Sequence, residues 1–151
     1  MNATAGQLCT FRLGDLMFGV DVTHVQEVIR YQEMTRVPLA PKLIRGLINL
    51  RGQIVTAIDM RARLGLPDRD EPLPMNVVLR TTEGVISLLV DDIGDVVQPE
   101  TSRFEQVPET LNSVLRDMVG GICKLDERLL LLVDVERLLA TNQVQEQNSR
   151  S

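Results

Sequence analysis

The chain has no tryptophan, one tyrosine, three phenylalanines and one histidine among its 151 residues. That scarcity removes whole classes of chemistry. Single-stranded nucleic acid is held by stacking bases on aromatic faces, and any nucleic acid by clustered cations on its phosphates. With 3% aromatics and a formal charge of −5, the chain offers neither, so no nucleic-acid partner is expected. Cys9 and Cys123 lack metal-ligand spacing and any redox motif, and both fall in apolar strand patterns where a thiol behaves as a small hydrophobe. No serine or cysteine sits in a nucleophile-elbow context, and no glycine-rich stretch could cradle a phosphate. The single histidine, His24, reads as a solvated residue on the polar side of a short helix. No segment approaches membrane-spanning length, and Met1 to Gly6 shows no cationic region followed by an apolar stretch. A cytoplasmic location with no membrane insertion is therefore expected, with no cofactor and no metal.

What is present is a repeat. Gly46 to Leu66, GLINLRGQIVTAIDMRARLGL, returns in degenerate form as Gly121 to Leu139, GICKLDERLLLLVDVERLL. The copies align without a gap at an offset of 75 residues, taking Gly46 to Gly121, Ile54 to Leu129 and Asp59 to Asp134. In each, an apolar segment is broken by a two-residue polar spot, Arg51-Gly52 or Asp126-Glu127, which predicts a β-hairpin with a tight turn. Each then runs into a short helical pattern behind an aspartate that can accept from orphan backbone N–H groups. A weaker echo links Val25-Gln-Glu-Val-Ile29 to Ile93-Gly-Asp-Val-Val97, each following a strand that ends in aspartate.

The predicted fold is mainly β, with short helices and about five strands per half, each half forming a small barrel. Leu8 to Leu13 and Leu16 to Val22 make a hairpin, Thr23 to Arg30 a short helix with Val22, Val25 and Ile29 on one face, and Met34 to Val37 a further strand. Met75 to Arg80, Gly84 to Asp91 and Ile93 to Gln98 repeat the scheme, and Pro99 to Asn112 is irregular. Prolines and four charges place the internal boundary at 67–74, so subdomain one covers 8–66, subdomain two 75–140, and a polar tail 141–151. Small barrels are marginal alone, which predicts one cooperative unit.

Two constellations could carry function. Asp91, Asp92 and Asp95 could form a magnesium site for an enzyme, because hard cations take carboxylate oxygens. Successive strand residues face opposite ways, which favours a strand end and turn instead. Arg51 stands at a hairpin tip whose counterpart is made with Asp126-Glu127, so the fold does not require arginine there. Its planar fork of donors suits a carboxylate or a protein contact. From the residues alone, docking and solvation stand as alternatives.

At these residues the chain resembles the CheW family of bacterial chemotaxis coupling proteins, from about Leu8 to Leu139. The matching pieces are Phe11-Arg-Leu-Gly-Asp15, Phe18-Gly-Val-Asp21, Val25-Gln-Glu-Val28, Gly46-Leu-Ile-Asn-Leu-Arg-Gly52, Val90-Asp91 with Asp95-Val96, and Gly121 with Leu130-Leu-Leu-Val-Asp134. The resemblance implies two five-stranded SH3-like barrels packed on each other. It implies a non-catalytic adaptor joining the regulatory domain of a CheA-type histidine kinase to chemoreceptor cytoplasmic tips, at membrane-associated receptor arrays. The partner-binding positions it implies are Val25, Glu27, Val28, Arg51, Ile93 and Val96, along a groove between the barrels, with Gly46 and Gly121 nearby. The stretch Arg103 to Thr110, including Glu109, resembles a shortened family loop that makes a second kinase-type contact. A free-standing CheW-like regulatory domain of another sensory or motility pathway is the competing reading.

Two departures from the family pattern bear on partner choice. Thr56 stands where proline is common, which restores a backbone donor and could alter an edge. Ser87 stands where glycine is common, and its side chain could narrow the approach of a partner.

Overall fold

The computed structural model describes residues 6–68 and 73–140. The first half forms β1 (Leu8–Leu13), β2 (Leu16–Asp21), a 3-10 turn at Val22–His24, β3 (Val25–Ile29), β4 (Ile44–Leu50), β5 (Gln53–Asp59) and α1 (Met60–Leu64). The second forms β6 (Met75–Thr81), β7 (Gly84–Val90), β8 (Asp92–Val97), a 3-10 turn at Thr101–Arg103, β9 (Phe104–Glu105), α2 (Ser113–Arg116), β10 (Val119–Leu125) and β11 (Arg128–Val133). A further helix, α3, covers 135–140.

The strands make two sheets, ordered β8-β1-β2-β11-β10-β9 and β3-β6-β7-β5-β4. Substituting each strand by its repeat counterpart turns one order into the other: β3 for β8, β6 for β1, β7 for β2, β5 for β11 and β4 for β10. The duplication is therefore real at the level of topology. It is also crossed, because the first hairpin of each half, β1-β2 or β6-β7, completes the sheet of the opposite half. In both sheets the junction between halves is a parallel pair, β2 with β11 and β7 with β5, while the other ladders with a recorded register are antiparallel.

This crossing corrects the predicted boundaries. The compact units are residues up to Val22 together with Gly94 onward, and Thr23 to Ile93. The division at 67–74 marks where the repeat restarts, and it falls inside one unit. Its centre, 69–72, and the polar tail 141–151 lie outside the described residues.

The repeated signals do the same local work twice. Asp59 Oδ1 accepts from the Ala62 N–H at 3.2 Å at the start of α1, and Asp134 Oδ1 accepts from the Arg137 N–H at 3.1 Å at the start of α3. A side-chain cap of this kind is worth about 1 kcal/mol. The β4-β5 ladder slips between Ile44 and Gly46, and the β10-β11 ladder slips between Val119 and Gly121. A further segment crosses just beside each of these glycines. Thr35 bridges Leu47, and Glu105 pairs with Ile122. A Cβ on Gly46 would lie 2.8 Å from the Thr35 carbonyl oxygen, and one on Gly121 would lie 3.3 Å from that of Glu105. Both glycines are there because backbone passes over them.

Each unit holds a hydrophobic cluster among the described residues. Ile48, Leu50, Val55, Ala57, Val78 and Leu89, with Ile29, draw on all five strands of the β3-to-β4 sheet. Leu8, Cys123 and Leu130 pack with Val97 and Phe104, which come from the two opposite edges of the other sheet. A core that touches both edges requires each sheet to curl, as in a small SH3-like barrel. Each fully buried aliphatic side chain contributes about 1.5–3 kcal/mol. Burial also pushes both thiols, Cys9 and Cys123, up from their ordinary value. That agrees with a packing role for each.

Three expectations need correction. Thr23 to Arg30 is not a helix, because Val25 to Ile29 pairs with β6 as an edge strand. The ladder slips between Val25 and Glu27, so Gln26 is an extra residue. That bulge breaks the period-two alternation and leaves apolar residues at helix-like spacing. Met34 to Val37 contributes one bridge rather than a strand. Thr56 does not alter an edge, because β5 is an inner strand and Thr56 pairs with Leu47 on one side and Ile86 on the other. Ser87 is fully buried and donates to Asn76 Oδ1 at 2.8 Å, while Asn76 Nδ2 donates to the Arg30 carbonyl at 3.1 Å.

Two outcomes follow. Ser87→Ala leaves the buried Asn76 oxygen without that donor, and should lower unfolding free energy by about 1–3 kcal/mol in denaturant titration. Because neither half holds all the strands of either sheet, 1–68 and 73–151 expressed separately should lack the native circular dichroism spectrum and regain it on mixing. A half that folds alone would overturn the crossed topology.

Candidate docking site

Within the unit spanning Thr23 to Ile93, Arg51 and Gly52 form the β4-β5 turn between the paired residues Leu50 and Gln53. Both are left-handed, with φ of +51° and +88°, as a type I′ hairpin turn demands. Asn49 Oδ1 accepts from the Gly52 N–H at 2.9 Å and braces the turn. Such a turn favours asparagine or glycine at its first position, yet a long cation stands there. The second-half turn, Asp126-Glu127, has neither residue at positive φ. The repeat therefore keeps the loop length and changes the turn type, and arginine is retained here in a backbone state that an L-residue disfavours by about 1–2 kcal/mol.

The guanidinium of Arg51 forms an ion pair with the Glu27 carboxylate on β3. Two residues singled out from the sequence are thereby brought together. Because β3 and β4 are opposite edges of one sheet, this pair also ties the barrel's seam. The Arg51 side chain is 76% exposed, so the pair itself contributes only about 0–1 kcal/mol. Its larger consequence is that it presents the arginine beside edge-strand residues Val25 and Val28, both half-buried.

The remaining positions fall in different settings. Ile93 is half-buried at the end of the same unit, and Val96, 55% exposed, lies on β8 in the other. Gly46 and Gly121 are buried, so their surroundings are those of packing. Glu109 and Thr110 are exposed turn residues, while Arg103 donates to the Lys124 carbonyl and to Asp126, each at 3.2 Å. Sequence reading passed over Ile54 and Leu129, repeat counterparts that are 59% and 52% exposed. An apolar residue just after each polar turn was the available signal.

The acidic trio does not converge. Asp91 takes a bidentate pair from Arg61, Nε to Oδ1 at 2.7 Å and Nη2 to Oδ2 at 2.8 Å. Asp92 accepts from the Ile93 N–H at 3.0 Å, and Asp95 offers its backbone carbonyl to Thr10 Oγ1 at 2.6 Å. No group of three or more metal-ligating side chains occurs among the described residues. The hydrogen bonds that Arg61 donates to Asp91 push its guanidinium up from its ordinary value, and Arg61 also donates to the Pro67 carbonyl at 2.7 Å. Asp91 is thus a clasp between α1 and the end of β7.

Two duplicated β-barrels with a charged hairpin tip and an open edge strand define a small double-barrel docking module. The chain belongs to the CheW-like domain family, whose model matches residues 7–143. It is 33% identical to the chemotaxis protein CheW of Klebsiella aerogenes over 144 residues, covering 93% of this chain and 86% of that protein. It is 31% identical to a probable chemotaxis protein CheW of Rhizobium etli, covering 93% and 91%. The crystal structure of the scaffolding protein TtCheW from Thermoanaerobacter tengcongensis superimposes with a TM-score of 0.78 at 26% identity, covering 86% of this chain and 89% of that one.

Asp91→Ala strands the largely buried Arg61 and should cost about 3 kcal/mol by thermal or chemical denaturation. Arg51→Gly removes the strained side chain and its weak ion pair together, so stability should stay within about 1 kcal/mol of the parent.

Proposed function

We propose that this chain is a non-catalytic coupling adaptor of chemotaxis signalling, joining the regulatory domain of a CheA-type histidine kinase to the cytoplasmic tips of chemoreceptors. The observation that carries the reading is the match to the CheW-like family over 7–143, nearly the whole chain. The site chemistry agrees with it. Val25 and Val28 on an edge strand, with Arg51 and Glu27 beside them, offer an apolar strip with one cation and one carboxylate at its border. An amphipathic receptor helix can bury one face against such a strip and reach the fork of Arg51 with a carboxylate. Ile93 and Val96 extend the set of apolar docking residues. The stretch Arg103 to Thr110, with the exposed turn residues Glu109 and Thr110, serves the kinase. The protein acts in the cytoplasm, at receptor arrays.

An adaptor of this kind transmits a signal only by binding the two receptor states with different affinity, since a partner with equal affinity for both shifts nothing. Geometry alone gives proximity. The signal resides in how the docking strip discriminates the states.

Isothermal titration against a kinase regulatory domain and a receptor-tip fragment tests the reading. Both should bind, and Arg51→Glu, which sets two carboxylates against each other at the seam, should weaken at least one by roughly tenfold or more without loss of fold. Folded protein that binds neither partner would refute the adaptor reading. Added magnesium should give no binding heat, and Asp92→Asn should leave both titrations unchanged.

A further inference from the structure

Two non-glycine residues of the described chain have positive φ: Arg51 and Leu39, the latter at +63°. Leu39 lies in the loop Arg36-Val-Pro-Leu-Ala-Pro-Lys42. The Ala40 N–H donates to the Val37 carbonyl at 3.3 Å, closing a turn with Pro38 at its second position and Leu39 at its third. A positive φ at the third position is the type II turn, which reverses the chain. Both ends of the loop are tied down: Thr35 exchanges two backbone hydrogen bonds with Leu47, and the Ile44 N–H donates to the Pro41 carbonyl at 2.9 Å. Two prolines stiffen what lies between. The reversal sets Arg36 and Lys42 on the wall of one open pocket of about 350 Å³, together with Arg45, Asp59 and Asp68.

The chain carries 21 acidic residues against 16 lysines and arginines, yet among the described residues no ion pair engages Arg36 or Lys42. Arg45 uses only Nη1, on Asp59 Oδ2 at 2.8 Å, and the other Asp59 oxygen caps α1, so that carboxylate is satisfied. Asp68 is the remaining acid, and it also lines a smaller adjoining recess with Arg61. Three cations against one uncommitted carboxylate make a positive concavity on a negative protein.

Two guanidinium forks and an ammonium supply more donors than one carboxylate accepts, and they suit the peripheral oxygens of a phosphate ester. Asp68 repels a second anionic group and can accept from a hydroxyl. We infer that this pocket binds a phosphate ester carried on a hydroxylated group, glycerol phosphate being the simplest, with Arg36, Lys42 and Arg45 on the phosphate and Asp68 on a hydroxyl. The pocket is open to solvent, so binding is weak and salt-sensitive. Such a group exists free in solution and as a lipid headgroup, and Leu39 separates the two sources. It follows directly on the pocket loop beside Ala40, and at 104% relative exposure it packs against nothing. A lipid source would bury this side chain among acyl chains, and a free ester would leave it in water.

Titration of the isotope-labelled full chain with glycerol 3-phosphate, followed by amide NMR at constant ionic strength, tests the site. Shifts should concentrate at residues 36–45, and Arg36→Ala and Lys42→Ala should each weaken binding by roughly tenfold. Acetate at the same concentration should leave these amides in place. The second arm is co-sedimentation with phosphatidylcholine vesicles containing phosphatidylglycerol. Leu39→Asn suits the left-handed turn position and keeps the pocket while removing the apolar side chain. Pelleting that falls with Leu39→Asn, Arg36→Ala and Lys42→Ala identifies the lipid headgroup as the source. Binding of glycerol 3-phosphate without pelleting, unmoved by Leu39→Asn, identifies the free ester. Absence of both responses, or binding that survives both Arg36→Ala and Lys42→Ala, would overturn the proposal. Unchanged kinase and receptor titrations in Arg36→Ala keep this question separate from the adaptor reading.

Discussion

The parallel junctions β2-β11 and β5-β7 are the constraint on which the rest depends. Each joins a hairpin from one half of the chain to the closing strand of the other. Parallel neighbours cannot be joined by a tight turn, so the chain has to leave one barrel and return. The result is two barrels whose ladders are each incomplete without residues from both halves. A free energy of folding shared in this way is not divisible by half, which is how two marginal cores can add to one cooperative protein.

The same constraint determines what each barrel can expose. Once the seam is closed by the Arg51–Glu27 pair, β3 offers Val25 and Val28 beside a cation that no water-filled turn requires. A strained arginine held over an edge strand is costly to folding and useful to binding, because its donors are positioned before a partner arrives. The Asp91–Arg61 clasp shows the contrast: its side chains are largely covered and paired, a further Arg61 donor is taken by the Pro67 carbonyl, and their chemistry is spent on holding α1 to the end of β7.

Much of the fold was legible because its signals are local. Alternating apolar residues, two-residue turns and capping aspartates each act over a few positions, and the hairpins and helix starts fall where Asp59, Asp134 and the Arg51-Gly52 spot place them. The Thr23 to Arg30 segment was misread because one extra residue, Gln26, converts a strand's alternation into a helix-like spacing. The crossing of hairpins was illegible for a different reason: Met17 pairs with Leu130 across more than half the chain, and no nearby residue encodes that choice. At the site, Arg51 and Glu27 could be singled out separately, but their contact depends on the curl of a sheet. Leu39 was invisible because its oddity is a φ angle, and a leucine between prolines reads as an ordinary loop.

The repeat also separates fold from function more sharply than either copy could alone. Where the halves agree, the shared residue has a packing or capping reason: Gly46 and Gly121 lie under a crossing backbone, and Asp59 and Asp134 each cap a helix. Both glycines were implied as neighbours of a docking surface, yet their burial and the overhead carbonyls account for them without a partner. Where the halves occupy equivalent positions and differ, the fold is indifferent and another demand is free to act. Arg51 stands opposite Asp126, and Leu39 and Glu109 each stand four residues beyond the bridging residues Thr35 and Glu105. At both pairs of tips the first half of the chain presents a strained, cationic or apolar residue and the second half presents carboxylates. One backbone plan used twice with opposite surface chemistry gives the chain two hairpin tips of unlike charge on the same scaffold.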